Sequence, residues 1–109
     1  MPESSSTNAL TEAVFYIMLS LTEPLHGYGV AQKAKGLSGG RINLGPGTLY
    51  GAIETLAKKG WIAEAPGEKD SRGKKEYQLT EVGQKKLRAE LDRLRELVQN
   101  GERVLGKNE

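Results

Sequence analysis

From residue 9 onward the apolar positions fall at helical intervals. Leu10, Val14, Ile17, Met18 and Leu21 form one stripe, with the three- and four-residue spacing of a buried helical face. Phe15, Tyr16 and Leu19 widen that stripe to more than one side. The pattern predicts a first helix over 9–22, capped by Thr7 or Asn8. It stops at Glu23-Pro24, because the residue before a proline is pushed out of the helical region. Residues 25–35 predict a short second helix that carries Gly27 and Gly29. Each glycine costs ~1 kcal/mol against alanine inside a helix, so the pair implies a close approach, such as that of another backbone. His26 reads as a packing residue at the start of this helix.

A loose connection follows at 36–40, then a short strand at 41–44. Leu49, Ile53 and Leu56 give a narrow buried stripe for a third helix over 46–59. Pro46 suits its first position and Gly60 its left-handed C-terminal cap. Two short strands, 61–64 and 74–79, flank a polar tip and predict a hairpin anchored by Trp61. Thr80 caps a final helix marked by Val82, Leu87, Leu91, Leu94, Val98 and Leu105. The 4-3-4 spacing over 87-91-94-98 is that of a coiled-coil seam. About 25 residues of helix span roughly 38 Å, more than the small body before it covers, and a second copy of the chain is the natural cover.

The predicted fold class is therefore mostly α with a small β-hairpin (α+β), a winged helix-turn-helix followed by a long C-terminal dimerisation helix. The organisation reads as a flexible tail over 1–8, a winged helix unit over 9–80 and a dimerisation helix over 81–109.

Composition narrows the chemistry. The 109 residues include one His and no Cys. That excludes thiolate metal sites, disulfides and cysteine catalysis, and leaves no nucleophile–base–orienter set for an enzyme. No metal or cofactor is implied. The apolar run at 13–21 is too short to span a bilayer and has no basic flank before it, so the expected address is the cytoplasm, without a membrane partner. The net charge of +2 is uninformative, but residues 26–80 hold nine Lys and Arg against five Asp and Glu. The basic middle suits a polyanion. A P-loop-like string at 101–108 ends in Asn108 instead of Ser or Thr and follows no strand, so it is rejected.

The strings HGYGVAQ (26–32), GPGTLYGAIETLAKKGWI (45–62) and KKEYQLTEVGQKKL (74–87) resemble the PadR family of bacterial transcription regulators. The block Pro46-Gly47-Thr48-Leu49-Tyr50, followed by Leu56, Gly60 and Ile62, is the most specific part. The resemblance implies a winged helix repressor that binds an inverted-repeat operator as a homodimer. Its single terminal helix is similar to the short subgroup, which includes multidrug-sensing regulators released by small-molecule effectors. In such relatives the terminal helix packs against the partner's first helix.

The expected partners are thus double-stranded DNA, a second copy of the chain and a small-molecule effector. Candidate DNA-binding residues are Tyr28, Thr48, Tyr50, Gly51, Arg72, Lys74 and Lys75. Tyr50 is either a DNA contact or a packed ring. Thr48 is either a phosphate ligand or a good first-turn residue. Tyr28 either touches DNA or fills the gap left by Gly27 and Gly29. The hairpin cations grip phosphates or form an ordinary solvated tip. Dimerisation falls to Val14, Leu87, Leu91, Leu94, Val98 and Leu105, and effector binding to Phe15, Tyr16 and Val98. The competing reading is a protein-interaction or dimerisation module without specific DNA binding.

Overall fold

The structure is a computed structural model in which residues 9–66 and 74–106 are described. The tail over 1–8, the hairpin tip with Arg72, and residues 107–109 lie outside them. Six elements follow in order: α1 (Glu12–Ser20), α2 (Gly27–Leu37), α3 (Pro46–Lys58), β1 (Ile62–Glu64), β2 (Tyr77–Leu79) and α4 (Glu81–Leu105). β1 and β2 pair antiparallel, with Ile62 opposite Leu79 and Glu64 opposite Tyr77.

Local hydrogen bonds move several boundaries from their expected places. The cap of α1 is Thr11, whose Oγ1 accepts from the Val14 N–H at 3.1 Å, rather than Thr7 or Asn8. Leu10 lies just before the cap, and its N–H donates to Glu90. α2 starts two residues late because Leu25 is spent on the sheet. The Leu25 N–H donates to the Tyr77 carbonyl at 3.0 Å, and the Tyr77 N–H returns the bond at 2.9 Å. His26 then caps α2, its Nδ1 accepting from the Gly29 N–H. Residues 41–44 form no strand. Arg41 and Ile42 turn their N–H groups back onto Ser38, and the Arg41 guanidinium pairs with Glu12 at 2.8 Å. The caps of α3 and α4 follow the sequence: Pro46 opens α3, Gly60 lies at φ +80° beyond it, and Thr80 Oγ1 accepts from the Gly83 N–H.

The core joins every element. Ile17, Met18 and Leu21 of α1 meet Val30 of α2, Leu49, Ile53 and Leu56 of α3, Ile62, Leu79, and Leu87 of α4. Each fully buried aliphatic side chain is worth about 1.5–3 kcal/mol over exposure. α4 takes part only through its first third, where Gly83, Leu87 and Glu90 are buried. Thr80 locks that end, donating its hydroxyl to the Gly60 carbonyl at 2.6 Å. Farther on, Leu97, Val98, Val104 and Leu105 are 53%, 58%, 77% and 74% exposed.

Glu90 marks where α4 leaves the body. Its carboxylate accepts two bonds from Arg93, at 2.8 and 2.6 Å, and one from the Leu10 N–H at 3.3 Å. The Arg93 bonds hold its pKa below the usual glutamate range against the opposing effect of burial.

Candidate nucleic-acid interface

The side of α3 facing away from the core is bare. Pro46, Gly47, Thr48, Tyr50, Gly51, Glu54, Thr55 and Lys58 are all exposed. Leu49, Ile53 and Leu56 point inward and hold this helix on α1 and α2. A helix pair with its second member so presented is a helix-turn-helix, and the antiparallel hairpin beside it is a wing.

The candidate residues divide over two flanks of α3. On one flank, Tyr50 joins His26, Gly27, Lys74, Lys75 and Tyr77 around a shallow cleft of about 300 Å³. The ring is 51% exposed and leans over the start of α2. Lys74 and Lys75 stand at the foot of the hairpin, both exposed. Tyr50 and the two lysines thus line one open cleft. Long cations beside an aromatic hydroxyl are groups that can hold a phosphate. On the other flank, Thr48 and Gly51 line a separate groove with Val14, Lys59, Trp61 and the residues before α1. So α3 spreads Thr48 and Tyr50 apart, with Gly51 between Gly47 and Thr55.

Tyr28 does not enter the cleft. It is 58% exposed, stacks on His26 at a centroid distance of 6.5 Å, and accepts a bond from Gln32. Nor does it fill the gap left by the glycines. The space over Gly27 is taken by Tyr50, and Gly29 has room for a β-carbon at ordinary contact distance from Leu25. The close approach implied by the glycines is thus a side chain over Gly27 rather than a backbone.

The remaining candidates divide between the chain's own core and its open faces. Val14 and Leu87 pack into the core. Leu91 joins Phe15, Leu19, Thr22 and Arg88 along an open groove of about 810 Å³ between α1 and α4. Leu94 is half-buried, while Val98 and Leu105 are bare. Phe15 therefore lines the groove, Tyr16 packs edge-on against Phe15 at 5.8 Å, and Val98 lies beyond the groove on α4. Trp61 is a half-buried anchor, with the Lys59 and Lys86 ammonium groups 5.0 and 5.3 Å from its ring centre. Among the described residues, no helix is long and apolar enough to cross a membrane.

Sequence reasoning did not assign His26, Gly27 and Tyr77 to the interface. His26 and Gly27 sit in the quoted motif, but their link to Tyr50 is a tertiary contact with no periodic signature.

These features define a winged helix-turn-helix, and comparison with known proteins agrees. Residues 16–89 match the Transcriptional regulator PadR-like family, and the chain belongs to it. A PadR family regulator from Eggerthella lenta superposes with a TM-score of 0.67 at 26% identity, over 87% of this chain and 82% of that one. One from Clostridium difficile gives a TM-score of 0.66 at 25% identity, over 85% and 98%. A transcriptional regulator from Clostridium thermocellum shares the fold with a TM-score of 0.67 at 23% identity, over 98% and 100%. No curated protein matches the sequence. The chain is thus a transcriptional regulator, and PadR family members are not enzymes.

Proposed function

We propose that this regulator binds an inverted-repeat DNA operator as a homodimer and represses transcription. In this reading α3 enters the major groove, and the lysines at the foot of the hairpin hold flanking phosphates. The observation that carries it is the convergence of Tyr50, Lys74 and Lys75 on one open cleft beside the bare face of α3. The bare end of α4 supports the dimer, since four large apolar side chains there have no cover among the described residues. The groove between α1 and α4, lined by Phe15, supports a seat for the partner's helix. An apolar effector held in the same place, between Phe15 and Tyr16 and the partner's copy of Val98, would compete with or reshape that seat.

The test is enrichment of DNA from a random duplex library by the purified protein. The expected product is a two-fold symmetric sequence with half-sites about one helical turn, ~34–36 Å, apart. Recovery of unselected sequence, with binding that ignores the bases, would leave only the interaction-module reading.

A further inference from the structure

The start of α2 is held in place from two sides. Leu25 is bonded twice to Tyr77 of the hairpin. One residue on, His26 closes the first turn through its Nδ1 and the Gly29 N–H. Gly27 follows as the first helical residue, and it is buried. Its α-carbon therefore has little freedom to shift when something presses on it.

What presses on it is Tyr50. A β-carbon on residue 27 would lie 2.5 Å from the Tyr50 hydroxyl oxygen and 2.7 Å from each of two ring carbons. Real β-carbons essentially never come so close, so the ring edge occupies the volume that any other residue would need. Tyr50 is otherwise half in solvent, so its direction depends on this seat. The same placement puts it in one cleft with Lys74 and Lys75.

We infer that Gly27 is a positioning residue for DNA binding. By lacking a side chain, it lets Tyr50 lie back over α2, with its hydroxyl end seated on residue 27 and its ring in the cleft lined by Lys74 and Lys75. With alanine at 27 the ring has to swing away from α2 and leave the cleft. This inference rests on the reading of that cleft as the DNA-facing site. It adds that the geometry of the contact is fixed from α2, by a residue that touches no DNA itself.

The experiment is a double-mutant cycle on the full chain: wild type, Gly27→Ala, Tyr50→Ala and the double variant. Affinity is measured for the duplex enriched from the random library and for a scrambled duplex, and melting temperature is measured without DNA. The expected result is at least a tenfold loss of operator affinity for Gly27→Ala and for Tyr50→Ala, with the double variant no weaker than Tyr50→Ala alone. The melting temperature of Gly27→Ala should stay near that of wild type, because a half-exposed ring swings aside at little cost. If Gly27→Ala does not fold, the double variant should fold, because the clash is gone. Additive losses, or full operator affinity in the Gly27→Ala protein, would overturn the positioning role while leaving the cleft as the DNA site. Full operator affinity in the Tyr50→Ala protein would overturn the cleft reading itself, and the positioning role with it.

Discussion

A β-carbon on residue 83 would overlap the carbonyl oxygen of Trp61 and sit 2.9 Å from its carbonyl carbon. Gly83 is thus the point where α4 lies directly on the backbone that leads from α3 into the hairpin. The same carbonyl accepts the Thr80 N–H at 3.0 Å, so the obstructing atom is pinned. Gly83→Ala should destabilise the protein by at least ~1–3 kcal/mol, the usual cost of overpacking, since backbone rather than a flexible side chain has to move. Thermal unfolding followed by circular dichroism checks this.

Gly51 gives the opposite result. Among the described residues nothing lies within 4 Å of a β-carbon there, and the position is inside α3. Gly51→Ala should raise stability by about 0.5–1 kcal/mol. If the bare side of α3 lies against DNA, the same methyl group should weaken operator binding. A raised melting temperature with reduced affinity is the expected pair of readings.

Lys74 and Lys75 should act on any duplex, whereas Tyr50 should act on the right one. Replacing both lysines with alanine should weaken operator and scrambled DNA alike. It should also flatten the plot of log affinity against log salt by about 0.9 for each phosphate no longer neutralised, summed over both protomers. A salt titration on both duplexes measures it. Loss of discrimination without a change of slope would reverse the assigned roles.

Stability should depend on Glu90 in a pH window set by its lowered pKa. A group with a depressed folded pKa contributes fully above its unfolded value, ~4.3 for Glu, and loses that contribution as pH falls through the folded value. The cause is chiefly the hydrogen-bonded Arg93, with Leu10 and Lys86 adding smaller effects. Glu90→Gln should therefore melt lower than wild type at neutral pH, and the gap should close as pH drops below about 4. Paired melting curves from pH 7 to pH 3 test this; a gap independent of pH would place the effect in packing alone.

The dimer can be tested where substitution leaves the body intact. Val98 and Leu105 touch little within the chain. Val98→Asp with Leu105→Asp would place unpaired charge in an apolar seam, a costly burial. Light scattering should show a monomer with unchanged helical content. A dimer of unaltered mass would remove α4's outer stripe from the interface.

The periodic part of this fold is legible in the chain. Leu49, Ile53 and Leu56 mark α3 because burial on one helical face repeats at fixed spacing, and the stripe from Leu87 to Leu105 marks α4 by the same spacing although its outer half is bare. Pro46, Gly60 and Thr80 are legible as punctuation for equally local reasons. The strand expected at 41–44 fails because apolar Ile42 and Leu44 alternate as in a strand while, among the described residues, no partner strand stands beside them. The late start of α2 depends on Tyr77, a distant residue that no local pattern reveals. The site follows the same division. Tyr50 is legible as exposed, being off the 49-53-56 stripe, and Lys74 and Lys75 as basic. The seat at Gly27 is invisible, because a glycine in a helix reports only that space is needed and not which residue needs it.

Glu90 gives α4 a fulcrum. From there to Leu105 the helix runs about 22 Å at 1.5 Å per residue, with its apolar side chains beyond Leu97 bare. A tilt of about ten degrees at that point carries Leu105 through about 4 Å, more than the ~3.4 Å between stacked bases. In the proposed dimer, repacking around Leu10, Glu90 and Arg93 would be magnified at the far end of this lever, where the partner chain would meet it.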